Sequence, residues 1–136
     1  MRAFLIASAA TILVLGVGCQ GPTSPDENPD AYRRLVQLAG AEARSRGDST
    51  FLWLRNPQNA EARSLMLDLG LDYVRYDRVD GVVCAWAGGG VGPARGFVYR
   101  LPGAALPADS LGETCYRYDT CGEESIPGDW TRFWCE

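Results

Sequence analysis

The sequence contains no histidine and no lysine. Without imidazole there is no Ser-His or Cys-His nucleophile pair and no histidine ligand for zinc. Without lysine there is no Schiff base and no phosphate loop of the Walker type. These two absences exclude most common catalytic mechanisms, and the chain shows no catalytic constellation, metal motif or cofactor motif.

An excess of positive charge is also missing. The 13 basic residues are all arginines, and they are scattered among 17 carboxylates, which gives a net charge of -4. Loss of Arg2 with an N-terminal signal leaves 12 against 17, a net charge of -5. Nucleic-acid binding normally needs a clustered basic face, so we set that class of partner aside.

The apolar run at the N-terminus is short. Residues 3–18, AFLIASAATILVLGVG, are uncharged and follow the single positive charge of Arg2. Spanning a bilayer takes about twenty apolar residues, and this run of sixteen gives way to a polar, proline-rich stretch. The pattern predicts a cleaved secretory signal over residues 1–18.

The end of this run resembles the signal of bacterial lipoproteins, through Leu15, Gly16, Val17, Gly18 and Cys19. The class ends its signal with a leucine, two small or aliphatic residues and a cysteine, and here the leucine stands one place further back. The resemblance implies that Cys19 is diacylated and becomes the new N-terminus. Gln20 stands where the class places aspartate for retention in the inner membrane, which implies the outer membrane. Ordinary signal peptidase, with Gly16 and Gly18 as its small residues, is the alternative.

Cysteine parity favours lipidation over simple secretion. The chain has five cysteines, an odd number that would leave a free thiol in an oxidising compartment. Acylation of Cys19 leaves four, which can form two disulfides: Cys84, Cys115, Cys121 and Cys135. Three pairings are possible, and we favour Cys115–Cys121 with Cys84–Cys135.

The first half of the mature chain predicts a tether and two helices. Residues 19–28 are polar and proline-punctuated, typical of a flexible lipidated tether, and residues 29–136 are long enough for one domain. A helix is expected from Pro29 to Arg46, capped by Asn28 and stopped by Gly47. A second helix is expected from Asn56-Pro57 to the stop at Gly70.

The rest of the domain predicts strands. Thr50–Arg55 carries apolar residues on both pleat faces, which favours an interior strand. Residues 72–78 and 82–87 flank Asp80-Gly81, a hairpin signal. Further strands are expected at 97–101, 114–118 and 129–135, the last two as a C-terminal pair. The fold class is therefore α+β: a small antiparallel sheet with two helices packed on one face, linked by disulfides.

Three groups of residues are candidates for chemistry, each with a structural explanation. The glycine-rich stretch 88–96, with Arg95, could bind an anion, but a hairpin connection is favoured. Carboxylates could act in pairs on glycans, or bind calcium at Asp77 and Asp80, but turn formation and solvated surface charge are the favoured explanation. The carboxylates in question are Asp77, Asp80, Glu113, Glu123, Glu124 and Asp129.

Aromatic residues are abundant beyond residue 50. An exposed row of rings would bind sugars or peptides, although most rings of a small domain belong to its core. Alternation puts Trp130 and Trp134 on one face of their strand and Phe133 and Cys135 on the other. The other tryptophans and tyrosines beyond residue 50 are Trp53, Trp86, Tyr73, Tyr76, Tyr99, Tyr116 and Tyr118.

Together these features predict a non-enzymatic envelope lipoprotein that uses no cofactor and is held on the membrane by its acyl chains. The domain would bind a protein or glycan ligand or serve a structural role. The alternative is a carboxylate-dependent glycan hydrolase, which requires two carboxylates to converge across a cleft.

Overall fold

The computed structural model describes residues 21–88, 92–103, 115 and 121–136. Helix α1 spans Pro29–Arg46, as predicted. The side chain of Asn28 accepts a hydrogen bond from the Ala31 amide at 3.4 Å, and Gly47 ends the helix in the left-handed region at φ 67°. A side chain is disfavoured at that φ, which explains why glycine stands there.

Helix α2 spans Ala60–Leu69 and begins three residues after the predicted start. Asn59 is its cap, with its side chain accepting from the Ala62 amide at 3.0 Å. At the other end the amides of Gly70 and Leu71 donate to the carbonyls of Leu67 and Met66. These two bonds form a Schellman motif, which satisfies carbonyls that the helix end leaves open.

Within the described residues, six strands form one sheet in which every neighbouring pair is antiparallel, in the order β1-β2-β3-β4-β6-β5. The strands are β1 (Thr50–Trp53), β2 (Tyr73–Asp77), β3 (Val82–Gly88), β4 (Ala94–Arg100), β5 (Cys121–Ile126) and β6 (Trp130–Cys135). The predicted α+β architecture is confirmed, and so is the hairpin of β2 and β3 around Gly81, which has φ 69°.

Two strand predictions are wrong. β1 is an edge strand, not an interior one, and Leu52 on its outward face is 47 % exposed. The predicted C-terminal pair of residues 114–118 with 129–135 is also wrong, because β6 pairs with β5 instead. The sequence of β5, CGEESI, lacks the apolar alternation that would predict a strand. The predicted strand at 114–118 lies outside the described residues except for Cys115, which is helical.

Each face of the sheet carries its own apolar core. On one face α1 and α2 cover Phe51, Val74, Val83 and Phe97, so both helices lie on the same side, as predicted. The opposite face buries a smaller cluster that contains Phe133 and the disulfides. The members of that second cluster are Val82, Cys84, Trp86, Ala94, Val98, Cys115, Phe133 and Cys135.

The antiparallel register gives the sheet two ends with different contents. At the end we call proximal, Trp53, Tyr73, Gly88, Ala94, Cys121 and Cys135 end or begin their strands. At the distal end the corresponding residues are Thr50, Asp77, Val82, Arg100, Ile126 and Trp130. Features at one end are therefore separated from those at the other by the length of the strands.

Candidate functional site

The chain segment before α1 is docked on the domain. The Thr23 amide donates to the Leu69 carbonyl at 2.9 Å, and Ser24 and Pro25 are buried. The buried Tyr32 hydroxyl donates to the Thr23 carbonyl at 2.5 Å. The described part of this segment therefore differs from the flexible tether expected over residues 19–28. Its composition predicts no regular structure, but hydrogen bonds to α1 and to the end of α2 satisfy its backbone groups.

Ser24 is also the centre of a small polar contact at this segment. Its hydroxyl donates to the Asp26 carboxylate, and the Arg132 guanidinium donates to the same hydroxyl oxygen at 3.3 Å. The hydrogen bond from Ser24 lowers the pKa of Asp26 below its ordinary value, more than desolvation raises it. The carboxylate form of Asp26 is thus bound near neutral pH, and the contact is lost as pH falls through that lowered pKa.

Tyr32 anchors the segment from the side of α1. Its ring packs edge-on against Phe97 and Trp130, with centroid distances of 5.7 Å and 5.1 Å. Burial raises the pKa of the Tyr32 phenol, and the negative charge of Glu27 raises it further. The phenol therefore remains a neutral donor to Thr23 at any physiological pH.

The four cysteines of the domain form two disulfides, but not in the predicted pairing. Cys84 is bonded to Cys115, and Cys121 to Cys135. Cys121 and Cys135 are directly opposite one another in the register of β5 and β6, with their Cα atoms 4.2 Å apart. The prediction of Cys115–Cys121 and Cys84–Cys135 is wrong because β5 pairs with β6 and brings Cys121 opposite Cys135. Cys19 lies outside the described residues.

The glycine-rich stretch is a connection between antiparallel strands. Gly88 is the last residue of β3 and Ala94 opposes it as the first residue of β4, while residues 89–91 lie outside the described part. Arg95 is exposed and opposes Trp134 of β6. The described part of the stretch adjoins no helix N-terminus, so it lacks the geometry of a phosphate loop.

Asp77 and Asp80 form a turn. Asp77 is only 2 % exposed; it accepts from the Arg75 guanidinium at 2.6 Å and from the Asp80 amide at 2.8 Å. Asp80 lies 3.9 Å from the same guanidinium. Paired in this way, the two carboxylates stabilise the β2–β3 turn. Among the described residues there is no cluster of three histidine, cysteine or acidic side chains suited to a metal ion.

The other candidate carboxylates that the structure describes line a cleft at the distal end, which we call the distal cleft. Its volume is about 890 Å³, within the range of ligand-binding pockets. Its walls are residues 99–103, 123–126 and 128–131, which include Glu123, Glu124 and Asp129. Glu124 pairs with Arg132 at 2.9 Å. Glu113 lies outside the described residues.

The distal cleft combines hydrogen-bond acceptors and donors with the half-buried ring of Tyr99. Ser125 and Thr131 contribute hydroxyl groups and Arg100 a cation, while Tyr99 and Trp130 pack together with ring centroids 5.1 Å apart. Such a mixture suits a polar ligand rich in hydroxyl or amide groups. The sequence identified these carboxylates as candidates but did not predict that they line one cleft. The cleft forms because β6 lies between β4 and β5 in the sheet, which the sequence pattern did not indicate.

The aromatic residues are mostly core. Trp53, Trp86 and Trp130 are buried, whereas Trp134 is 41 % exposed. Trp130 lies on the helix-covered face and Phe133 and Cys135 on the other, in agreement with the predicted alternation. The described rings therefore do not form an exposed row, and Tyr116 and Tyr118 lie outside the described residues.

Within the described part of the chain, neither helix is long and apolar enough to cross a membrane. No family model, no curated protein and no solved structure matches the chain.

Proposed function

We propose that this chain is a lipid-anchored protein of the bacterial envelope, acylated at Cys19, whose single domain is a non-enzymatic binding or structural module. One observation carries the proposal: the four cysteines of the domain are paired with one another. Of the five in the sequence, only Cys19 is left for another purpose.

The pairing supports export as well as lipidation. Disulfides persist in oxidising compartments and are rare in the cytosol, so two of them in one small domain favour the envelope or the exterior. A lone cysteine at the end of a signal-like apolar run is the position that lipoprotein processing uses. Two acyl chains are sufficient for stable membrane attachment. Gln20 favours the outer membrane where the cell has one.

We place the ligand of the module in the distal cleft. Carboxylates, hydroxyls and a guanidinium line it beside Tyr99 and Trp130, which supports a glycan or a polar segment of protein as the ligand class. A cleft of this kind orients a ligand by hydrogen bonds and needs no cofactor.

The test is the intact mass of the protein made from the full chain in a bacterial host, under non-reducing conditions. We expect a species that lacks residues 1–18, carries the mass of two or three acyl chains and has no free thiol. Cys19→Ala removes the acyl mass, whereas the matched variant Cys121→Ala/Cys135→Ala retains it. A mature protein with an unmodified Cys19, or one that still begins at Met1, contradicts the proposal.

The second candidate is a carboxylate-dependent glycan hydrolase. It is favoured by the position of Glu123, Glu124 and Asp129 in one cleft. Hydrolysis by the wild type would release reducing ends from envelope polysaccharide, and Asp129→Asn would abolish that release while Asp80→Asn, outside the cleft, would not. Binding without release favours the non-enzymatic module.

A further inference from the structure

We propose that the proximal end of the sheet rests on the membrane surface, with Leu54, Leu67 and Trp134 in contact with the lipid interface. The partner of this surface is the bilayer that holds the acyl chains. The inference rests on the proposed acylation of Cys19, and it adds the orientation in which the acylated protein is held.

The first argument is the length of chain available. Cys19 precedes Gly21 by two residues, and two extended residues span about 7 Å. From Pro22 onward the segment is fixed to the domain by the hydrogen bond from Thr23 to Leu69 and by the burial of Ser24 and Pro25. The acyl chains therefore leave the protein within about 7 Å of Gly21, and no long linker separates the domain from the bilayer.

The second argument is where the docked segment begins. A methyl group added at Gly70 would lie 3.7 Å from the Cα atom of Pro22, and one added at Gly21 would lie 3.8 Å from the Arg95 side chain. Gly70 ends α2 shortly before β2 begins at Tyr73, and Arg95 stands near the start of β4. The first described residue of the chain is thus at the proximal end.

The third argument is the apolar surface at the same end. Leu67, in the last turn of α2, is 78 % exposed, and Leu54, just after β1, is 58 % exposed. The neighbour of Leu54, Arg55, pairs with Asp72, whose carboxylate also accepts from the Gly88 amide at 2.9 Å. These bonds hold Leu54 beside the ends of β2 and β3.

Trp134 completes this surface. It opposes Arg95 of β4 and Gly122 of β5, and its indole covers Gly122 so closely that a side chain there would collide with the ring. Tryptophan prefers the interface between hydrocarbon and water, because its ring is apolar and its N–H can remain hydrated. An exposed tryptophan near the acylated end of a chain is therefore suited to lipid contact.

The net charge of the protein does not favour membrane binding, so this contact orients the protein and the acyl chains anchor it. The mature net charge of -5 provides no general attraction to anionic lipid. Attachment then depends on the acyl chains, and the three apolar side chains decide which end of the domain faces the bilayer. The distal cleft consequently faces away from the membrane, where an envelope ligand has access to it.

The experiment uses the acylated full-length mature protein in phosphatidylcholine vesicles whose acyl chains are brominated near the headgroup, which quenches tryptophan fluorescence by contact. Wild type is compared with Trp134→Phe. Two further variants carry a tryptophan elsewhere in the Trp134→Phe background: Leu67→Trp at the proximal end and Val79→Trp, at a 77 % exposed site in the β2–β3 turn, as the matched control.

We expect quenching in the wild type, its loss in Trp134→Phe, its return with Leu67→Trp and none with Val79→Trp. Equal quenching of the Leu67→Trp and Val79→Trp proteins, or none in either, overturns the proposed orientation. Flotation with the vesicles and intact mass are measured on the same samples. A protein that lacks acyl chains and does not float contradicts the proposed function, whereas an acylated, floating protein without proximal quenching contradicts only the orientation.

Discussion

Gly96 of β4 lies against β3 with no room for a side chain. A Cβ atom built on Gly96 would lie 2.3 Å from the carbonyl oxygen of Ala85 and 2.4 Å from the Cβ of Trp86. Because one of these atoms is backbone, a side chain at this position cannot be accommodated by a rotamer change. The glycine therefore permits Trp86 to pack on the face of the sheet opposite the helices.

Gly96→Ala is predicted to destabilise the domain by about 1 to 3 kcal/mol, the usual effect of overpacking a core. Gly92→Ala is the control, since no described atom lies within 4 Å of a Cβ there, and its effect should stay within about 0.5 kcal/mol. Chemical denaturation of both variants measures the difference. Equal stability of the two proteins would show that β3 and β4 are not so closely apposed.

Among the elements, the docked segment before α1 is bound by a side chain of that helix. Tyr32 holds it by the hydrogen bond to the Thr23 carbonyl, and that hydroxyl is fully buried. Loss of the Tyr32 hydroxyl leaves the Thr23 carbonyl without its donor in a place with little access to water. This lowers the free energy of unfolding by about 1 to 3 kcal/mol.

Tyr32→Phe is predicted to lower stability by about that amount and to raise amide hydrogen exchange at Thr23 selectively, since the Thr23 amide is bonded to Leu69. Tyr99→Phe is the matched control, because this half-buried tyrosine also packs on Trp130 but its hydroxyl makes no hydrogen bond within the described residues. Unchanged exchange at Thr23 in Tyr32→Phe would mean that the segment is held by packing alone.

At the scale of the whole molecule, the two disulfides link different segments on the face of the sheet opposite the helices. Cys84–Cys115 closes 31 residues and joins the central strand β3 to a position outside the sheet, whereas Cys121–Cys135 closes 14 and joins two adjacent strands. In the chain-entropy account, longer loops gain more stability, about 3.7 kcal/mol against about 3.0 kcal/mol for these two.

The variant Cys84→Ala/Cys115→Ala is accordingly predicted to be less stable than Cys121→Ala/Cys135→Ala, by about 0.7 kcal/mol or more. Denaturant unfolding under oxidising conditions measures this order. Non-reducing peptide mapping of the wild type is the accompanying check. A peptide linking Cys115 to Cys121 would contradict the connectivity itself.

In the proposed arrangement, the acyl anchor, the docked segment and the distal cleft give the molecule a membrane side and a ligand side. The proposed acyl chains and the exposed Trp134 belong to the proximal end, and the cleft lined by Asp129 to the distal end. The sheet separates these two surfaces because its strands run from one to the other.

Neighbouring residues along the chain were enough to predict the local features. Asn28 and Gly47 set the ends of α1, Gly81 made the β2–β3 turn, and the alternation in β6 assigned Trp130 and Phe133 to opposite faces. Each of these depends on residues that are neighbours along the chain, so propensity and periodicity suffice to predict them.

The remaining features arise from contacts between segments that are distant in sequence. The edge position of β1, the partner of Cys121 and the docking of Pro25 depend on which strands are neighbours in space. The distal cleft is likewise formed by segments of β4, β5 and β6 that are distant in sequence. Contacts of this kind arise from packing, which leaves no periodic signal in the segments that it brings together.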